Sequence, residues 1–189
     1  MGKKPLSEIQ VKSLRKLVAG NPLHELLLNL SVDLMLRGSD LLSLKVSDVM
    51  NESGTVKSEV KVKQKKTKKN TLLLPLSDKS INAIKIHLDG RSLDDFIFKG
   101  QKSHYTNKPI SVIQYSRIVK RWMEMLGVED TLAFSSHSMR KTKATVIYNK
   151  TKNIDAVRRL LGQSSVTATS AYIGVTDNSA LELARNINI

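Results

Sequence analysis

From Asn21 to Leu36 the chain reads NPLHELLLNLSVDLML, and this stretch constrains the fold more than any other. Asn21 is a good N-cap and Pro22 suits the first helical position, where a missing N–H costs nothing. Apolar residues then fall on most sides of the helix rather than along one stripe. A helix without a broad polar face has to be wrapped by other elements. The segment is therefore expected to be a central helix, and the rest of the chain must supply its wrapping. With 189 residues, 40% of them hydrophobic and only 9 Gly and 4 Pro, there is enough apolar material for one ordinary domain.

Helical signals dominate on both sides of this segment. Ser7 caps a helix to about Ala19, with Ile9, Val11, Leu14 and Leu17 at helical spacing and Gly20 as its stop. After the break at Arg37-Gly38, Ser39 is expected to cap a short helix through Leu44. Ser77 opens a helix to about Leu88. Ser111 opens one to Leu126, with Val112, Tyr115, Ile118, Val119 and Trp122 along its buried side. A helix carrying His137, Arg140, Lys141 and Lys143 starts at Ser135 or Ser136, and Asn153 caps one that ends at Leu161-Gly162. A short helix is expected around Thr167–Tyr172, and a last one from Thr176 to about Asn186. The exception is a β-hairpin in which Val56, Val60 and Val62 alternate with lysines and Leu72–Leu76 returns. The fold class is mainly α with one small antiparallel hairpin (α+β).

The charge narrows the partners. Lys+Arg 31 against Asp+Glu 17 leaves a formal +14, an excess that nucleic acid or an acidic membrane surface usually balances. The longest apolar runs fall far short of a membrane span, and the basic N-terminus has no signal-peptide core behind it. The hairpin holds seven lysines, Lys57, Lys61, Lys63, Lys65, Lys66, Lys68 and Lys69, against one acid, Glu59. A lysine run usually marks a solvated face or a guarded strand edge. This one is dense and one-sided enough to read as a finger laid along a phosphate backbone.

Several chemistries are missing from the residues. There is no cysteine, so thiolate zinc, iron–sulfur clusters and a cysteine nucleophile are excluded. No glycine-rich phosphate loop and no H-E-x-x-H occur, and Asp94-Asp95 and Glu129-Asp130 read as surface pairs. A mechanism that uses cations already in the protein is the reading that remains, with no metal and no cofactor. His137 and Arg140, three apart, share a helical face. Arg37 sits at a helix break in very apolar surroundings, where a permanent charge needs an anion; Asp40 is the structural candidate for that role. Leu161-Gly162-Gln163-Ser164-Ser165 leads to Tyr172, nine residues after Gln163. Tyr115 and Tyr148 have the neighbours of core or groove residues, and Tyr105 lies in a polar loop.

Taken in order, these residues resemble the tyrosine recombinase, or phage integrase, family from about Leu6 to the end of the chain. Arg37 within LRGSDLLSL is similar to the family's first arginine box, and Lys66 within QKKT to its hairpin lysine. His137 and Arg140 match its H-x-x-R box. Gln163 falls where relatives usually carry His or Trp, and Tyr172 falls at the nucleophile. The resemblance implies a catalytic-domain fold and a site-specific recombinase for integration, excision or inversion. In such enzymes the tyrosine attacks a DNA phosphodiester and forms a covalent 3′-phosphotyrosine. Arg37, Arg140 and Gln163 would then hold the phosphate, Lys66 would protonate the leaving 5′-oxygen and His137 would serve Tyr172 as base.

Further expectations follow from the same resemblance. Lys61, Lys63, Lys65, Lys68, Lys69, Lys141 and Lys143 are expected to contact double-stranded DNA, and the C-terminal helix to build a tetramer on it. Residues 1–189 are read as a single catalytic domain without the N-terminal core-binding domain of many relatives. The setting would be cytoplasmic, nucleoid-associated and away from membranes, encoded by a bacterium, phage or mobile element. Gln163, which can hydrogen-bond but is neither acid nor cation, raises the alternative of a weakened regulatory relative; a type IB-like topoisomerase shares the chemistry.

Overall fold

The computed structural model describes residues 2–100 and 108–175, together with positions 181 and 185. Most of the last expected helix therefore lies outside the described residues, as does Tyr105. The described elements are α1 (Glu8–Leu17), α2 (Pro22–Leu34), α3 (Gly38–Leu42), α4 (Val46–Val49), β1 (Glu59–Val60), β2 (Leu74–Pro75), α5 (Asp78–Leu88), α6 (Val112–Met125), α7 (Ser136–Thr151), α8 (Ile154–Leu161) and α9 (Val166–Ile173). A 3-10 turn, Thr131–Ala133, precedes α7. No described helix is long and apolar enough to cross a membrane.

Helix α2 is the axis its sequence demands. Every residue from Leu26 to Leu34 is buried, and the helix packs chiefly on α5 and α7. One polar residue in that run, Asp33, organises its neighbours. Its Oδ2 accepts hydrogen bonds from the Ser77 backbone N–H at 2.8 Å, the Ser77 hydroxyl at 2.7 Å and the Ser80 hydroxyl at 2.6 Å. Lys143 of α7 completes the set at 3.3 Å from Oδ1. Burial by itself would raise the Asp33 pKa, but the bonds from Ser80 and Ser77 and the charge of Lys143 outweigh it and hold the carboxyl below its ordinary value. One carboxylate thus ties the start of α5 and the middle of α7 to the central helix.

Caps and stops mostly fall where the residue chemistry puts them. Ser7, Asn21, Ser77, Ser111, Ser135 and Asn153 each accept a backbone N–H at a helix start. Three local expectations are corrected. Arg37, not Ser39, occupies the N-cap position of α3, because Met35 ends α2 in the left-handed region (φ +48°) and the chain turns before Arg37. Val112 is 40% exposed, since the buried side of α6 begins one turn later at Tyr115. The hairpin is also shorter than its alternation suggests. Only Glu59↔Pro75 and Val60↔Leu74 form a ladder, with a bridge at Lys63↔Asn70. Val56 pairs with Met50 instead, and Leu72 and Leu73 are exposed.

Candidate active site

The turn after α2 delivers Arg37 to the open edge of the domain, and it arrives with two partners. Its Nη1 donates to Gln64 Oε1 at 2.7 Å and lies 3.9 Å from Asp40 Oδ2. Asp40 is buried, and its other oxygen accepts the Lys65 backbone N–H at 2.9 Å. The arginine box and the lysine loop are therefore fastened to each other at the loop's base.

Arg140 is presented by α7, whose start is set by Ser135. That serine's hydroxyl accepts the His137 N–H, and its own N–H donates to Ser138 Oγ. Arg140 is 3% exposed. Its Nη2 donates to the Leu161 carbonyl at 2.7 Å, at the end of α8, while its Nη1 has no hydrogen-bond partner among the described residues. Burial lowers its pKa to about 10, with Arg37 pushing the same way and Tyr172 and Asp40 opposing, so the group remains a cation at neutral pH.

Helices α8 and α9 bring the tyrosine. Gly162 ends α8 with φ +63°, a conformation glycine takes without strain, and Ser165 caps α9 through the Ala168 N–H. Ile173 is buried and anchors α9, which places the Tyr172 ring 5.9 Å from the Arg140 guanidinium. The Tyr172 hydroxyl is buried and has no hydrogen-bond partner among the described residues. Burial raises its pKa, and the charges of Arg140 and Arg37 pull it back down. The Gln163 side-chain carbonyl beside this turn is another buried acceptor without a partner there.

His137 lies at the exposed lip of the site. Its partial desolvation lowers its pKa, and Arg140, Lys141, Arg37 and Lys3 push in the same direction, so the imidazole is neutral at pH 7. Four guanidinium and ammonium groups close enough to disfavour one more proton make a strongly positive local field.

The lysines divide into two kinds. Lys61, Lys63, Lys65, Lys66, Lys68 and Lys69 are exposed along the hairpin. Lys141 and Lys143, also expected to contact DNA, are placed differently. Lys143 is held by Asp33. Lys141 is 7% exposed, with its ammonium 4.8 Å from the centroid of the Tyr172 ring. Asp40 stands beside Arg37 as expected, and Gln64 is the residue that sequence reasoning missed as part of the site. A glutamine inside a lysine run was the available signal, since its position alternates with the exposed lysines and so faces inward.

A cleft of about 880 Å³ between α1 and α5 carries none of these residues.

On this mainly helical domain Arg37, Arg140, His137 and Tyr172 share one electrostatic neighbourhood. The chain belongs to the phage integrase family, whose sequence pattern it matches over residues 5–179. It is 33% identical over 144 residues to the probable integrase/recombinase YoeC of Bacillus subtilis (strain 168), covering 76% of this chain and 73% of that one. A tyrosine recombinase of Pseudothermotoga lettingae is 30% identical over 176 residues, 92% of this chain but 57% of the relative. Among solved structures, the XerA recombinase superposes with a TM-score of 0.76 at 19% identity over 98% of this chain and 65% of that one. XerH bound to a palindromic difH substrate, in a post-cleavage complex, gives 0.70 at 20% identity over 95% of this chain and 51% of that chain. Several relatives thus extend well beyond the length this chain spans.

Proposed function

We propose that this chain is the catalytic domain of a site-specific recombinase that cuts and rejoins double-stranded DNA through Tyr172. The observation that carries the reading is a conjunction. Among the described residues, a buried phenolic hydroxyl without a partner lies beside a buried guanidinium that keeps one nitrogen without a partner, with a second arginine contributing to the same field. Buried polar groups are normally satisfied within the protein, and those that are not point to a ligand that completes them. A phosphodiester supplies nonbridging oxygens for Arg140 and Arg37 and an electrophile for the hydroxyl.

In the proposed step the Tyr172 oxygen forms a bond to phosphorus as the bond from phosphorus to the 5′-oxygen breaks. His137, neutral at pH 7, accepts the phenolic proton, and the Lys66 ammonium protonates the departing 5′-oxygen. Arg37 and Arg140 hold the charge that builds on the nonbridging oxygens, with the Gln163 amide as a further polar contact. Rejoining is the reverse, with a 5′-hydroxyl from either duplex as nucleophile, so the phosphotyrosine link conserves the bond energy. Four copies on two duplexes, joined through the C-terminal segment, are proposed from the family resemblance. The exposed hairpin lysines are proposed to follow the duplex backbone.

The test is a pool of nicked duplexes with a randomised core, in which the fragment beyond the scissile phosphate diffuses away and traps the covalent state. The wild-type protein is expected to form an adduct that survives denaturation and protease treatment as a DNA–peptide, and Tyr172→Phe none. Tight binding with no adduct would sink the proposal.

A further inference from the structure

We infer that Gln64 is a positioning residue that aims Arg37 at the phosphate without neutralising it, and locks the lysine loop and the turn before Tyr172 to that arginine. The inference rests on the proposed cleavage reaction and adds a residue to it.

Gln64 is 3% exposed in a hairpin whose neighbouring lysines are all exposed. Its Oε1 accepts from Arg37 Nη1 at 2.7 Å and from the Thr67 hydroxyl at 2.9 Å. Because a guanidinium can only donate, the atom facing it must be the carbonyl oxygen, which fixes the amide's orientation. The other end of the amide meets the tyrosine side of the site. A Cβ added at Gly162 would stand 2.7 Å from Gln64 Nε2, so a larger residue in this turn would push the amide aside. The Gln64 backbone meanwhile closes the loop that carries Lys66, its N–H donating to the Lys69 carbonyl and its carbonyl accepting from Lys68. A single side chain therefore touches the arginine box, the lysine loop and the turn leading into α9.

Its chemistry matters as much as its position. A buried arginine is ordinarily fixed by a carboxylate, which would cancel the charge the phosphate has to feel. The carboxylate of Asp40 spends Oδ1 on the Lys65 N–H and keeps Oδ2 in a long ion pair 3.9 Å from Arg37 Nη1, beyond hydrogen-bond reach. A neutral carbonyl is the acceptor that orients Arg37 and leaves its positive charge available.

The experiment compares Gln64→Glu with Gln64→Met in single-turnover cleavage of the nicked duplexes, together with DNA affinity and melting temperature. Gln64→Glu keeps an acceptor and adds an ion pair, so it is expected to melt no lower than wild type yet to cleave about 10- to 100-fold more slowly. Gln64→Met keeps the volume, loses the acceptor and is expected to cleave more slowly too, with affinity changed less than the rate. A structural role makes the opposite prediction, with Glu restoring activity and rates tracking melting temperature; either result overturns the inference. If Gln64→Glu does not fold, wild-type cleavage by Gln64→Met overturns it equally. A wild-type protein that forms no Tyr172-dependent adduct defeats the recombinase reading itself, whereas an active wild type with indifferent Gln64 variants defeats only this proposal.

Discussion

The arginine edge and the lysine hairpin carry the same sign of charge but are built in opposite ways. Arg140 is nearly fully buried and pinned by a helix-end carbonyl, and Arg37 is held between an amide and a carboxylate. The hairpin lysines stand exposed on a two-pair ladder, tied to the domain at the loop's base through Gln64 and Lys65. Buried, oriented charge costs desolvation free energy, but it needs no rearrangement at the moment of reaction. Exposed, mobile charge is screened and individually weak, yet it attracts a polyanion from a distance and adapts to its path. The difference separates stabilising a transition state from capturing the molecule that contains it.

The largest effect that would sharpen this contrast is expected from Arg140→Ala. Removing one preorganised donor from a developing oxyanion typically costs about 100- to 1,000-fold in rate. Cleavage in single turnover is expected to fall by that much while DNA affinity changes less than tenfold. If affinity fell as far as the rate, Arg140 would belong with the capturing charges and the contrast would break.

Lys66→Ala probes the one residue assigned to both regions. Loss of a general acid is expected to slow cleavage about 100-fold. Replacing the bridging 5′-oxygen with sulfur supplies a leaving group that needs no proton, so the same variant is expected to regain most of the wild-type rate on that substrate. Arg140→Ala should gain nothing from it. A Lys66→Ala defect that persists with sulfur would reassign this lysine to capture alone.

Replacing Lys63, Lys65, Lys68 and Lys69 together with glutamine is expected to spare the rate of bound complexes. Each lost phosphate contact should flatten the slope of log affinity against log salt by about 0.9. Measuring binding across a salt series gives the number of real contacts. An unchanged slope would mean that the hairpin does not lie along the duplex.

How much of this was legible in the chain follows the same division. The apolar run Leu26–Leu34, the serine and asparagine caps and the glycine stops are local signals, and they placed nearly every helix. The motif residues Arg37, His137, Arg140 and Tyr172 sit on elements whose type was readable, and the fold gathers them on one edge. What could not be read was pairing across the chain. Nothing local says that Asp33 waits for Ser77, Ser80 and Lys143, or that Gln64 reaches both Arg37 and Gly162. Short strands were overestimated because alternation at Val56–Val62 looks the same whether or not a partner strand continues beside it. Lysine type is equally silent about burial, which sets Lys141 apart from the exposed hairpin lysines.

Lys141 therefore offers the finest test of the contrast, because it is a lysine built like the arginines. Its ammonium rests on the Tyr172 ring, where a cation favours the electron-rich phenolate over the phenol, and its charge is one of those that lower the His137 pKa. Lys141→Met keeps the buried volume and removes the charge. Cleavage is expected to slow about two- to fivefold, the worth of one cation–π contact. The pH profile carries the more specific signature. In the wild type His137 stays neutral until the pH falls below its ordinary value of 6.5, so cleavage is expected to hold down to that point and decline beneath it. Without Lys141 one of the groups holding the imidazole pKa down is gone, and the acidic decline should begin at a higher pH than in wild type. The rate measured against pH for the two proteins, with His137→Gln as the reference lacking that limb, decides it. Coincident profiles would return Lys141 to the capturing set, and a shift toward lower pH would contradict the sign of its effect on His137.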